Sequence, residues 1–303
     1  MKIKTRSSEA AVLDFDPGRW SISFHGESLD SRCAAAIQEV RSRSTATTQV
    51  NYGVEQPNHI SLNRANVSPK TLVPLMKGGQ KIVLEATSLG TVEILLLLKA
   101  AKEANVKSID ILYVEPKEYS KGLNLESSWS REFSLSSGSK LMAVPGFLHR
   151  MQDFPQRSRL IAFLGYEAAR LANAFEQMGE YLVESTKYAV FGVPGYEPGW
   201  DMNAMATNVE TLERCNFTTV QYCPASSVSA AFDLLRKIHD ADRSESPFTV
   251  VAPFGTKPHG IATALFLVQY SSYAQSGLIY DHPNKAKGRS SDLRRWHLYA
   301  IEF

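Results

Sequence analysis

Phe248-Thr-Val-Val-Ala-Pro-Phe-Gly-Thr-Lys-Pro-His-Gly-Ile-Ala-Thr-Ala-Leu-Phe-Leu-Val-Gln-Tyr270 changes character twice within one stretch. Val250 to Ala252 is a short apolar run of strand length. Pro253 and Gly255 interrupt it, and an apolar helix is expected from about Gly260 to Gln269. Between the two lies Gly255-Thr256-Lys257-Pro258-His259. A strand that turns into a helix leaves backbone N–H groups pointing at the turn, and the helix dipole adds partial positive charge there. Lys257 adds a full charge, and His259 is a group that titrates near neutral pH. A loop that only reversed the chain would need none of Thr, Lys and His. The plainer alternative, a buried βα unit with a solvated Lys and a helix-capping His, stays open at this stage.

Outward from this stretch the same alternation repeats. Strand-like runs are expected at Trp20–Phe24, Lys81–Ala86, Ser108–Val114, Arg159–Leu164, Tyr188–Val193, Thr218–Tyr222, Leu278–Tyr280 and Trp296–Phe303. Helical runs are expected at Asp30–Arg43, Thr71–Met76, Val92–Ala104, Tyr166–Gln177, Ala204–Arg214 and Ser226–Asp240. Ser44–Gln49 reads as a loop, and the Ser/Gly-rich stretch 117–144 as a weak hairpin with strands at Arg131–Leu135 and Lys140–Val144. Strands alternating with helices of this length define an α/β fold with mostly parallel sheets. Ligands of such sheets bind outside the carboxyl ends of the strands, where the Gly loops lie.

Three landmarks occur in the same order in both halves. Phe24-His25-Gly26 corresponds to Phe163-Leu164-Gly165, Leu89-Gly90-Thr91 to Phe254-Gly255-Thr256, and Ile111-Leu-Tyr-Val-Glu-Pro116 to Leu278-Ile-Tyr-Asp-His-Pro283. The second half carries extra chain between its first two landmarks. This implies an internal duplication: two Rossmann-like lobes, 20–150 and 151–303, preceded by an N-terminal arm at 1–19 that is either free or an edge strand.

Composition narrows the function classes. With 303 residues, 44% hydrophobic and 21% charged, the chain is that of a globular protein. A net charge of +2 gives no general field for nucleic acid. The three cysteines lack metal spacing, so neither a metal site nor a cofactor is expected, and a reducing cytoplasm suits them. The polar start shows no signal peptide, and no apolar run approaches membrane-spanning length. The P-loop, Gly-x-Gly-x-x-Gly, His-Glu-x-x-His and Gly-x-Ser-x-Gly motifs are all absent.

Candidate ligand-binding residues are therefore Thr87, Ser88, Gly90 and Thr91 in the first lobe and Gly255, Thr256 and Lys257 in the second. Trp200, on the Gly/Pro-rich loop Tyr196–Asp201, is a candidate for stacking on a base or anchoring a protein partner. His259, Asp281 and His282 are candidate catalytic groups, the last two at the end of the strand before Pro283. The basic run Lys285–Arg295 is a candidate contact for nucleic acid, or else a solvated loop.

On its Gly-Thr-Lys loop between strand and apolar helix, the chain resembles the CRISPR-associated Rossmann fold (CARF) class of ligand-binding domains. The duplicated arrangement is similar to the fused pair in the SAVED class of cyclic-nucleotide sensors. The resemblance implies a ligand lying across two lobes, touching Leu89-Gly90-Thr91 and Gly255-Thr256-Lys257. It also implies a sensing or regulatory role, in a bacterial defence system. The chain departs from the class in having no separate effector domain and in its stretch 117–144. The expected ligand is a nucleotide or other phosphorylated small molecule. Two alternatives remain: an enzyme of phosphodiester cleavage or glycosyl/phosphoryl transfer at the same cleft, and a non-catalytic subunit of a multiprotein assembly.

Overall fold

The computed structural model describes residues 1–10, 12–76, 80–119, 140–147, 158–241, 248–270, 276–284 and 290–303. The expected strand at Arg131–Leu135 and the first half of the basic run Lys285–Arg295 lie outside these residues. The chain forms two compact units. Unit 1 comprises 1–120 together with 286–303, and unit 2 comprises 121–285.

Unit 1 holds eight strands: β1 (Lys2–Ser8), β2 (Trp20–His25), β3 (Ser44–Asn51), β4 (Ile60–Leu62), β5 (Ala65–Val67), β6 (Ile82–Glu85), β7 (Ser108–Tyr119) and β13 (Ser290–Glu302). Its helices are α1 (Ser31–Arg43), α2 (Leu72–Leu75) and α3 (Thr91–Glu103). The strands form one sheet in the order β1-β13-β7-β6-β2-β3-β4-β5. The block β7-β6-β2-β3 is parallel, and both flanks are antiparallel. Along β2, β6 and the stretch Ile111–Pro116 of β7 nearly every position is buried, as expected for strands covered on both faces. Helix α1 turns Ala36 and Val40 onto Trp20, Val83, Leu112, Val114, Trp296 and Leu298.

Unit 2 is an all-parallel sheet, β10-β9-β8-β11-β12, made of β8 (Ser158–Leu164), β9 (Thr186–Gly192), β10 (Thr219–Cys223), β11 (Phe248–Pro253) and β12 (Ser276–Leu278). Helices α4 (Ala168–Met178) and α5 (Trp200–Arg214) cover one face, where Leu171, Ala174, Met178 and Ala204 meet Leu160, Ala162, Ala189, Phe191 and Val250. The opposite face carries α6 (Val228–Asp240) and α7 (Lys257–Gln269): His239 of α6 bonds Thr249 of β11, and His259 of α7 stacks on Phe163 of β8. Every residue from Pro258 to Val268 is buried, which is why α7 is apolar all round rather than amphipathic.

The two parallel blocks have the same order. Unit 1 reads β3-β2-β6-β7 and unit 2 reads β9-β8-β11-β12, with β10 added outside β9. The added βα segment accounts for the extra chain between the first two sequence landmarks. In each block the order reverses at one point, between β2 and β6 and between β8 and β11. Both reversal points are closed by a glycine. A Cβ on Gly26 would stand 2.6 Å from the Ser88 carbonyl oxygen, and one on Gly165 would stand 2.9 Å from that of Phe254.

The N-terminal arm 1–19 takes the second of its two expected forms and begins as the edge strand β1, paired along its length with β13. One boundary differs from the sequence reading. The final strand, assigned above to the lobe 151–303, completes the first sheet between β1 and β7. Its long antiparallel register with β7 decides this, because no local feature of a strand names its partner. Ser44–Gln49, expected as a loop, opens β3. Its run of Thr suits an exposed strand with little apolar pattern to betray it. Among the described residues no helix is long and apolar enough to cross a membrane.

Candidate functional site

In unit 2 the loops after β8 and β11 flank the reversal point. Gly165 and Gly255 pack back to back: a Cβ on Gly255 would stand 3.1 Å from Cβ of Phe163 and 2.7 Å from Nδ1 of His259. Two helices start here. The N-cap of α4, Glu167, makes no side-chain cap bond, and neither does Thr256 at the start of α7. The Thr256 hydroxyl instead donates to the Ala225 carbonyl at 2.6 Å. By contrast α6, farther out, is capped by Ser227 onto the Ala230 N–H at 3.1 Å. The α7 start therefore keeps its partial positive charge, and Lys257, half-buried in the first turn, adds to it.

His259 lies in the first turn of α7, as its third residue, and is fully buried. Its ring stacks on Phe163 at 4.7 Å, and Nε2 is 3.4 Å from Cys223 Sγ. Nδ1 has no hydrogen-bond partner and faces the Gly255 Cα. Burial holds the imidazole down to about 4, opposed in part by the Pro224 carbonyl, so it is neutral at pH 7. Burial also pushes the Cys223 thiol up to about 12, so the pair is not a thiolate–imidazolium couple.

Asp281 is 2% exposed and bridges Arg170 of α4 through two hydrogen bonds of 2.7 and 2.6 Å. The Arg170 guanidinium also lies over the Phe254 ring at 4.9 Å. Despite its burial, the Arg170 guanidinium is held above its ordinary value by the Asp281 carboxylate. The Asp281 carbonyl accepts the Lys140 N–H, and His282 Nε2 is 2.9 Å from the Met142 carbonyl oxygen. Asp281 and His282 thus tie 140–142 to the end of the sheet. Trp200 is the first residue of α5, partly exposed and edge-on to Tyr166 at 5.9 Å.

Unit 1 solves the same geometry with its own carboxylates. Glu85, fully buried at the end of β6, accepts the Thr87 N–H at 2.7 Å, the Ser88 N–H at 3.1 Å and the Ser88 hydroxyl. Burial raises its carboxyl above the usual range against these bonds. The Ser88 hydroxyl oxygen in turn accepts the Gly26 N–H at 2.7 Å, and Thr87 Oγ1 accepts the Val114 N–H at 3.0 Å. Gly90 and Thr91 begin α3, where the Glu93 carboxylate folds back over Gly90 and accepts the Tyr52 N–H at 3.1 Å. At the other helix start, Asp30 caps α1 through the Cys33 N–H at 2.9 Å.

The structure brings Gly255, Thr256, Lys257 and His259 together, and separately Asp281 and His282 about the Lys140 segment. Of the basic run, Arg295 lies in β13 paired with Glu9. Sequence reading missed Arg170, whose only signal was an arginine near a helix start, and the anion-like use of Asp30 and Glu93. No group of three or more His, Cys, Asp or Glu residues disposed to hold a metal ion occurs among the described residues. No family model matches the chain, and no curated protein matches it.

Proposed function

We propose that unit 2 binds the phosphate of a nucleotide or another phosphorylated small molecule at the reversal point between β8 and β11. The observation that carries this reading is the contrast in capping: α4 and α7 start beside that point without side-chain caps, with Lys257 in the first turn of α7. Backbone N–H groups, helix dipole and ammonium charge together favour an anion there. The partly exposed Trp200–Tyr166 pair offers an aromatic face to a base. Thr87, Ser88, Gly90 and Thr91 enter this reading as a loop held by the protein's own Glu85 and Glu93 rather than as phosphate ligands.

The arrangement favours binding over turnover. His259 is enclosed and neutral, Asp281 is held by Arg170, and His282 faces a main-chain carbonyl, so none is disposed to exchange protons with a substrate. We infer a sensing or regulatory role, as the resemblance to the CARF and SAVED classes implies. The shared strand order and the paired glycines Gly26 and Gly165 support internal duplication of one βα module.

A thermal-shift screen of the whole protein against inorganic phosphate and mono-, di-, oligo- and cyclic nucleotides tests this. At a ligand concentration near 100 times Kd, roughly 2.7 kcal/mol of stabilisation is expected, and Lys257→Ala should reduce the shift. No shift with any phosphorylated compound would sink the reading.

A further inference from the structure

We propose that Ser7, on the edge strand of unit 1, is a base-activated nucleophile that accepts an acyl group from a carboxylic ester. Three residues on adjacent strands carry the inference. Ser7 Oγ is 2.8 Å from His297 Nδ1, and His297 Nε2 is 2.6 Å from Glu115 Oε1. The strand register puts them on one face: Ser7 stands opposite His297, His297 opposite Tyr113, and Glu115 two residues beyond Tyr113.

The chain of hydrogen bonds has a direction. A carboxylate only accepts, so Glu115 fixes the proton on Nε2 of the neutral ring. Nδ1 is then the bare nitrogen, and the Ser7 hydroxyl donates to it. This is the order of roles that activates a serine: hydroxyl, basic nitrogen, and a buried acid that steadies the imidazolium. The ring has little freedom to leave that geometry. It lies parallel to Tyr299 at 5.7 Å and to Tyr113 at 6.2 Å, and it is 2% exposed. Glu115 is 1% exposed, while Ser7 faces solvent. The buried end holds the acid and the base, and the open end holds the nucleophile.

The remaining groups facing the ring are compatible. Thr5 stands opposite Tyr299, and Arg295, two residues before His297, is paired with Glu9. Strand β1 ends the sheet, so alternate N–H groups along Lys2–Ser8 point away from β13, where they can receive the oxygen of a tetrahedral intermediate. In the reaction, Ser7 Oγ bonds to the ester carbonyl carbon and its proton passes to Nδ1. The carbon–alkoxide bond then breaks, and the leaving alcohol takes that proton. Water reverses the sequence to release the acid. Ser7 and His297 touch the reacting atoms, and Glu115 is a positioning residue acting through the ring.

The test treats the full chain with a fluorophosphonate probe and with p-nitrophenyl acetate, and maps adducts by peptide mass spectrometry. The expected result is one adduct on Ser7, absent in Ser7→Ala. The labelling rate should fall about 100-fold in His297→Gln, within the usual span for a general base. Glu115→Gln should slow labelling, and Glu115→Asp should recover part of it. No adduct on Ser7 in the unmodified protein, or one formed no faster than on the other exposed serines, overturns the proposal and leaves a polar ladder that only ties β1 to the sheet. This readout decides the matter even where the buried variants fail to fold.

Discussion

The reversal points of the two sheets share a backbone plan and differ in charge. In unit 1 every position that would attract an anion already holds one of the protein's own carboxylates: Asp30 on α1, Glu93 over the start of α3, and Glu85 inside the loop between β6 and α3. In unit 2 Glu167 stands at the N-cap of α4 without making a cap bond, the first turn of α7 holds no acid, and Lys257 stands where the matching residue of α3 is Val92. The buried His259 likewise corresponds to the buried Ile94. One strand order thus supports two uses of a helix N-terminus. In one, acids stand at or over the helix starts, and in the other an ammonium group stands in the first turn of α7, which suits the proposed anion.

The largest effect should come from the buried ion pair of unit 2. Arg170→Ala leaves the Asp281 carboxylate buried without its partner and should destabilise by about 3–5 kcal/mol. The double variant Arg170→Met with Asp281→Leu should recover much of that. Denaturant unfolding measures both, and equal losses in the single and double variants would remove the pair from the account.

A pH effect follows from His259. Its folded value is about 4 and its unfolded value near 6.5, so both states are neutral above that range. As pH falls from 6.5 towards 4 the unfolded chain takes up a proton first, and stability is lost by up to about 3 kcal/mol. His259→Leu, which copies Ile94, should flatten this slope between pH 6.5 and 4. An unchanged slope would mean that the ring is not enclosed.

The paired glycines give the next test. Gly26→Ala and Gly165→Ala both push a methyl group into main-chain carbonyls that cannot move aside cheaply, and each should cost about 1–3 kcal/mol. The closer approach at Gly26 should make it the worse of the two. Should either substitution prove neutral in thermal unfolding, the shared packing at the reversal points would fail. At the small end, Asp30→Ala removes a cap worth about 1 kcal/mol.

Much of the architecture was legible because it rests on local pattern. The βα alternation, the reversal-point loops and the apolar α7 follow from runs of residues and their breaks. Pairing was not legible: nothing in Trp296–Phe303 says that it belongs beside β7, and the Thr-rich β3 lacks the alternation that would mark it. The site was legible in part. Gly255-Thr256-Lys257 reads as the turn between strand and helix, but the helix begins at Lys257 rather than near Gly260, because Pro258 fits the first helical turn. The burial of His259 depends on Phe163, nearly a hundred residues away, and the restraint of Asp281 depends on Arg170. Such long-range partners decide whether a titratable group is available for chemistry, and sequence spacing does not display them.

The most direct measurement is amide chemical-shift mapping of the whole protein by transverse-relaxation-optimised NMR during titration with phosphate-bearing ligands that stabilise it. The account requires the largest shifts at Gly255, Thr256 and Lys257, with Thr87 to Thr91 nearly silent, and loss of the response in Lys257→Ala. Equal shifts at both loops, or shifts confined to residues away from the start of α7, would contradict it.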